Sequence, residues 1–284
     1  MKWWSKAASA MSLVAAVSVS ASGAGAAQTV LPLEIVNGDV EALPVSVDGH
    51  PGLYLFDSGI GTSAVTPAAA RTIGCTPWGK ITGFRAIGER VDTERCNAAT
   101  IQLGAVTRRV PQLSVLDLEK LMGPVGRRFA GAIGLDAFDG ETVTLSVAGH
   151  SLTVEDARSA ARIAATGQEV PIRLVREAEG AALTADIGLA TRSGRLWMEI
   201  DTGNYGPSLI DKRAAPLIGL AVADGRQPLD VAATARARLG GTAIVRDLIM
   251  DGDLGRQALK DWDVTLDLTH GRGGIRPATA RPRS

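Results

Sequence analysis

The chain has 284 residues, 45% apolar and 21% charged, with 30 basic against 30 acidic side chains. That length leaves room for two lobes with cores of their own, and the composition is globular rather than disordered. A formal net charge of zero offers a polyanion such as nucleic acid nothing to hold, and the locally basic end, "GRGGIRPATARPRS", reads as a frayed, solvated tail.

The N-terminus has the layout of an export signal. Met1-Lys2-Trp3-Trp4-Ser5-Lys6 is basic, "AASAMSLVAAVSVSA" is a short apolar run, and "AGAA" at 24–27 offers small residues for cleavage. The expectation is a signal peptide over 1–27 removed from a periplasmic or secreted protein, with an uncleaved anchor as the alternative. The run is too short and too rich in Ala and Ser for a good membrane span, so no stable membrane insertion is expected after its removal.

Strand signals then dominate. "LPVSVDGHPGLYLF" reads as a hairpin turning at Asp48-Gly49, and it runs into Asp57-Ser58-Gly59. A short helix follows, with Thr66 as N-cap and Gly74 at its end. Strand-like flanks around Gly83 and Gly88 predict a hairpin with its tip at Ala86, Ile87, Gly88 and Glu89. "ATIQLG" and "LSVLDL" are further strands, and "DLEKLMG" from Asp117 is a turn or two of helix. "GLDAFDGETVTLSV" closes the first half with a short helix and an alternating strand. Residues 156–169, "DARSAARIAATGQE", are a linker or a short surface helix, which divides the chain into lobes at 28–160 and 161–284. Beyond it come the strand "VPIRLV", a hairpin in "LATRSGRLWMEI" turning at Ser193-Gly194, the triplet Asp201-Thr202-Gly203, and a helix capped by Asp211 and closed by Gly219. "ADGRQPLDVAATARARLGGTAIV" shows no clear hairpin. "GRQALKDWDVTLDL" closes the second half as its counterpart closes the first.

The remaining chemistry-bearing residues are few. Cys75 and Cys96 fall in one half; export to an oxidising compartment permits a bridge between them, and two free thiols are the alternative. His150 and His270 sit just past strands, where solvated turns account for them. Trp78, Trp197 and Trp262 read as core or lobe-packing residues. No metal-ligand spacing, phosphate loop or dinucleotide fingerprint is present, so no cofactor or metal is expected.

The chain repeats itself. Asp57-Ser58-Gly59 lies under Asp201-Thr202-Gly203, Ser63 under Ser208, Ile73-Gly74 under Ile218-Gly219, and Val143-Thr144-Leu145 under Val264-Thr265-Leu266. A carboxylate ending an apolar strand is costly unless it is paired or used. Two such loops related by a pseudo-two-fold would bring Asp57 and Asp201 together. Adjacent carboxyls cannot both ionise cheaply, so the pair shares a proton and can activate a water held between them. Gly59 and Gly203 allow close backbone approach, and the hydroxyls of Ser58 and Thr202 can fix the loops across the interface.

At these residues the sequence resembles the aspartic peptidases, specifically the bacterial retropepsin-like aspartyl proteases in tandem, two-lobed form, with a pepsin-like layout. Ala132-Ile133-Gly134 matches that family's apolar-apolar-Gly stretch. The resemblance covers most of residues 30–277. It implies an all-β fold of two pseudo-symmetric β-barrel lobes with a few short helices, an Asp57/Asp201 dyad, and a flap at 86–89 that closes over bound peptide. It also implies a peptide or protein substrate, with a monomer sufficient because both acids are in one chain. The sequence departs from the family pattern at three places. Ile60 and Asn204 follow the catalytic triplets where small residues are usual. Asp253 in Asp253-Leu254-Gly255 replaces an apolar residue, so it either points outward or loosens the support of Asp201. A peptide- or protein-binding envelope protein that has kept this fold without turnover is the alternative, and an unrelated all-β protein whose triplets are mere turns is the third reading.

Overall fold

The computed structural model describes residues 27–278; the expected export signal, apart from its last residue, lies outside them. Strands make up a ten-stranded and a twelve-stranded sheet, with short helices between them. The two halves are built alike. In the first, the hairpin Val40–Val47 and His50–Phe56 turns at Asp48-Gly49, both with positive φ, and delivers Asp57. In the second, Ala182–Thr191 and Gly194–Ile200 deliver Asp201 in the same register: Val47 faces His50 as Thr191 faces Gly194. That register puts the second turn on Arg192-Ser193, one residue earlier than the Ser-Gly pair suggests.

After each acid the chain forms a short strand, Ala64–Val65 or Ser208–Asp211. Each is flanked by a parallel neighbour, Leu113–Val115 or Arg238–Arg246, and by an antiparallel one, Gly131–Ile133 or Gly252–Leu254. The last of these lies parallel to the acid-bearing strand, with Ile133 opposite Phe56 and Leu254 opposite Ile200.

Six antiparallel strands tie the halves together, in the order Thr29–Pro32, Ser151–Val154, Thr142–Ser146, Trp262–Asp267, Arg272–Pro277 and Gln168–Glu177. At the centre Thr144 faces Thr265, hydroxyl to hydroxyl at 2.9 Å, so the pseudo-two-fold passes between matched strands. The basic C-terminal stretch is therefore not a frayed tail as far as it is described. Arg272–Pro277 pairs on both sides, Ile275 is buried, and Arg276 reaches Asp263 at 3.2 Å.

Several local expectations resolve. Residues Ala157–Thr166 are a helix with a capping box between Asp156 and Ser159, its Ile163 buried. Thr66 caps the helix Pro67–Thr72 by accepting from the Ala69 N–H. Asp211 does not cap: it ends a strand and accepts from the N–H groups of Arg213 and Leu248, so it staples two loops instead. The second half does contain a hairpin, Arg226–Ala232 with Arg238–Arg246; its strand signal is masked by Gly240-Gly241 and by an Ala/Arg-rich turn. Trp262 is partly buried and packs against the core, whereas Trp78 and Trp197 lie outside it. Trp78 is exposed, and Trp197 is half-buried between the guanidinium groups of Arg173 and Arg195, at 5.1 and 5.5 Å. Cys75 and Cys96 are disulfide-bonded with their Cα atoms 5.8 Å apart, tying the turn after the first helix to the outgoing strand of the hairpin above it. Among the described residues no helix is long and apolar enough to cross a membrane.

Candidate active site

Both acids are held by the same device. The Asp57 N–H donates to the Ile133 carbonyl at 3.0 Å, and the Asp201 N–H donates to the Leu254 carbonyl at 3.1 Å. Asp253 thus leaves the backbone support of Asp201 intact. Behind each loop a serine oxygen accepts from the glycine that follows this support: Ser63 from Gly134 at 3.0 Å and Ser208 from Gly255 at 3.2 Å. Ser63 is itself fixed by Asp136, which takes its N–H and hydroxyl at 2.8 and 2.7 Å and whose carboxyl burial pushes up to about 7.

The two loops interlock. The Ser58 N–H donates to Thr202 Oγ1 at 3.0 Å, the Thr202 N–H donates to Ser58 Oγ at 2.9 Å, and the Ser58 hydroxyl passes on to the Ile200 carbonyl at 2.6 Å. Ser58 and Thr202 are buried, so each N–H would be an orphan donor without the opposite hydroxyl. The interlock sets each carboxyl over the other loop's glycine. A Cβ added to Gly59 would lie 2.7 Å from Asp201 Cγ, and one on Gly203 would collide with the Asp57 carboxyl. No other residue fits either place.

Asp57 and Asp201 are thereby set side by side, each against the other loop's glycine and half-buried where the two halves meet. Burial raises the Asp57 carboxyl, against the N–H groups of Gly59 and Ile60 and the hydrogen bond with Asp201, which favour its charge. Asp201 is raised well above the ordinary range, first by burial and then by the charges of Asp57, Asp253 and Glu199. Its Oδ1 accepts from the backbone N–H groups of Gly203 and Asn204 at 2.7 and 3.1 Å. The Asn204 side chain turns away to Asp253 Oδ1, at 3.1 Å. Ile60 contributes its backbone, and its side chain joins an apolar cluster with Leu55, Phe129 and Ala132.

Asp253 points inward. It is 5% exposed and lies beside Glu199 on the adjacent parallel strand, with Asp186 on the far side of Glu199. Strand alternation puts Glu199 on the same face as Asp201. Burial pushes Asp253 up to about 6, helped by the charge of Asp57 and opposed by the Asn204 amide. Glu199 is pushed up to about 8, by burial first and then by Asp253, Asp186 and Asp57. Asp186 is held by Arg173, whose Nε lies 3.0 Å away.

The flap residues lie on a hairpin of Trp78–Phe84 with Arg90–Cys96. Its tip closes by bonds between Arg85 and Glu89 and between Gly88 and Arg85, and the Ala86 carbonyl accepts from the Ile249 N–H of the second half at 3.0 Å. Ile87 is exposed and Glu89 pairs with Arg85. A second link across the lobes is buried. Glu41 is 1% exposed, ion-paired with Arg256 through both guanidinium nitrogens, and 2.7 Å from His150 Nδ1. Arg256 stacks 5.4 Å over the Tyr205 ring, whose hydroxyl accepts from the Glu41 N–H. His150 is thus a partner of a buried acid rather than a plain turn residue.

Glu199, Asp186, Glu41, Arg256 and Tyr205 all escape motif reading. Glu199 left a legible signal, since it sits two residues before Asp201 on an alternating strand. The others come to the cleft or the interface only through pairing between strands and lobes.

Residues 43–137 match the family described as aspartyl protease. No curated protein sequence matches the chain. Among solved structures, the chain is similar to the basic 7S globulin from soybean, with a TM-score of 0.55 at 12% identity over 89% of this chain and 95% of that one. It is similar also to conglutin gamma, a basic 7S globulin from lupine seeds, with a TM-score of 0.53 at 11% identity over the same shares. Identities this low speak for the fold alone: the chain has the all-β, two-lobed, pepsin-like architecture, and part of its first half matches the aspartyl protease family.

Proposed function

We propose that this protein is an exported aspartic endopeptidase, with lobes at 28–160 and 161–284, in which Asp57 and Asp201 act as one unit. The observation that carries this reading is the reciprocal bonding of Ser58 and Thr202, which leaves the two carboxyls nowhere to go but against each other. With one proton between them, the ionised member takes a proton from water while the protonated member polarises the peptide carbonyl, and no covalent intermediate forms. The flap at 86–89 closes the cleft over the chain being cut, and the segment 1–27 directs the protein to the periplasm or beyond.

A second reading is favoured by one observation: the two solved structures named above carry the name globulin rather than that of a peptidase. In that reading the cleft binds peptide without turnover. Cleavage of casein by the mature protein and by Asp57→Asn, Asp201→Asn and the double variant separates them. Each single variant is expected to lose about 10²–10⁴-fold in turnover. The double variant should be little worse, because coupled groups are not additive. Turnover surviving Asp201→Asn rejects the dyad, and no cleavage by any form supports the binding protein.

A further inference from the structure

The loops that carry the two acids differ in length. Asp57 and Ser63 are six residues apart in the first half, Asp201 and Ser208 seven in the second. The two serines are matched by structure, since each accepts from the glycine that follows the support of its acid. The shorter loop is held from the opposite half through its backbone: Gly61, at φ 77°, accepts the Leu183 N–H on its carbonyl at 2.9 Å. The longer loop has Asn204 and Tyr205 where the first has Ile60, and its hold on the opposite half runs through a side chain.

That side chain is Tyr205. Its hydroxyl accepts from the Glu41 N–H of the first half at 3.2 Å, and the Arg256 guanidinium covers its ring at 5.4 Å. The Glu41 carboxylate in turn holds that guanidinium, through Nη2 at 2.7 Å and through Nη1. Arg256 also reaches the loop directly, its N–H donating to the Asn204 carbonyl at 3.0 Å. A Cβ on the neighbouring Gly255 would lie 2.8 Å from that same oxygen, so glycine permits the approach. The loop residues so held are the ones that hold the acid: Asp201 Oδ1 accepts from Gly203 at 2.7 Å and from Asn204 at 3.1 Å. At the matched places of the other seam, Ala185 and Leu135 offer the first loop no such grip.

We propose that Tyr205, clamped by Glu41 and Arg256, is a positioning residue for Asp201: it ties the longer loop to the first half and keeps the Gly203 and Asn204 N–H groups on the acid. This rests on the dyad proposed above. Replacing a buried ion pair by apolar residues often leaves stability unchanged or higher, so stability alone does not account for the pair. A guanidinium that puts its face on a ring and its fork on a carboxylate fixes one geometry, which an apolar seam does not.

The test compares the two loops within one molecule. Exchange of the backbone amides of Gly203 and Asn204, and of Gly59 at the matched place, is followed by NMR alongside casein cleavage. The proteins are the mature form, Tyr205→Phe, Tyr205→Ala, and the double variant Glu41→Ala with Arg256→Leu. Tyr205→Phe keeps the ring and the ion pair and removes the hydroxyl alone; the double variant removes the clamp and copies the apolar seam. Exchange at Gly203 and Asn204 should be about tenfold faster in Tyr205→Ala and in the double variant, less so in Tyr205→Phe, with Gly59 unchanged. Turnover should fall by about ten- to a hundredfold in kcat with KM unchanged, because the acid is displaced and the cleft is not. A variant that is merely less stable speeds both loops alike, so the ratio between loops separates positioning from stability. Exchange that changes equally in both loops, or in neither, overturns the inference, and cleavage by the mature protein then leaves the peptidase reading standing. Selective exchange with an unchanged kcat also overturns it. Selective exchange without cleavage by any form supports the hold on Asp201 and overturns the peptidase reading. Neither selective exchange nor cleavage overturns both.

Discussion

The two halves share a backbone plan and differ in what their matched positions carry. On the acid-bearing strands and their neighbours, Ala42, Leu55 and Ala132 of the first half answer to Asp186, Glu199 and Asp253 of the second. At the interlobe seam the inversion runs the other way. Glu41 of the first half meets Arg256 of the second, whereas the matched pair, Ala185 and Leu135, is apolar and fully buried. Hydrogen bonds through the backbone and through Ser58, Thr202, Ser63 and Ser208 obey the symmetry closely, because they fix the loops. The side chains packed between these strands and across the seam do not. A duplicated framework thus keeps its symmetric part where geometry is demanded and lets chemistry diverge where it is not.

The seam gives the largest expected effect. Arg256→Leu alone leaves the buried Glu41 carboxylate with only His150 beside it, and unfolding by urea should show a loss of about 3–5 kcal/mol. Adding Glu41→Ala copies the Ala185 and Leu135 seam and should recover most of that loss. A double variant as unstable as Arg256→Leu would mean that the two seams are not interchangeable.

The interlock should respond symmetrically and by less. Ser58→Ala and Thr202→Ala each leave one buried N–H without its acceptor, an expected loss of about 1–3 kcal/mol in either half. Ser58→Ala should stand at the upper end, since its hydroxyl also serves the Ile200 carbonyl. A markedly larger effect at Thr202 in parallel denaturation curves would break the symmetry.

The smallest effect is one of pH; Asp136 of the first half, raised to about 7, contributes to it, and the part that breaks the symmetry comes from Glu199 and Asp253 of the second. Glu199 and Asp253 are raised in the folded protein, to about 8 and about 6, from ordinary carboxylate values near 4. Between those limits the folded state binds more protons than the unfolded one, so stability falls as pH rises through the window. Melting temperature should decline from about pH 5 to about pH 8, and Glu199→Gln should flatten that decline. Leu55→Gln, at the matched first-half position, should leave the slope unchanged. An equal slope in Glu199→Gln and the unsubstituted protein would show that Glu199 is not the group responsible.

Much of this was legible in the chain itself. The duplication, the strands that end in Asp57 and Asp201, the turn at Asp48-Gly49 and the cap at Thr66 follow from local pattern, because period-two alternation, turn chemistry and capping act within a few residues. Asp211 was misread as a cap because a carboxylate at a strand end can serve either loop, and only the approach of Leu248 decided which. The hairpin Arg226–Ala232 with Arg238–Arg246 was hidden by glycines and arginines, and pairing with Ser208–Asp211 was needed to define it. The basic C-terminal stretch looked solvated because its charges are local, while its strand partners lie at 168–171 and 262–267. Sequence alone therefore fixed which residues carry the two acids and how each loop is built. Tertiary structure decided that Asp253 turns inward, that Glu41 finds Arg256, and that three carboxyls stand side by side on neighbouring strands. Those outcomes depend on which strands become neighbours across more than a hundred residues, and short-range propensities hold no record of that pairing.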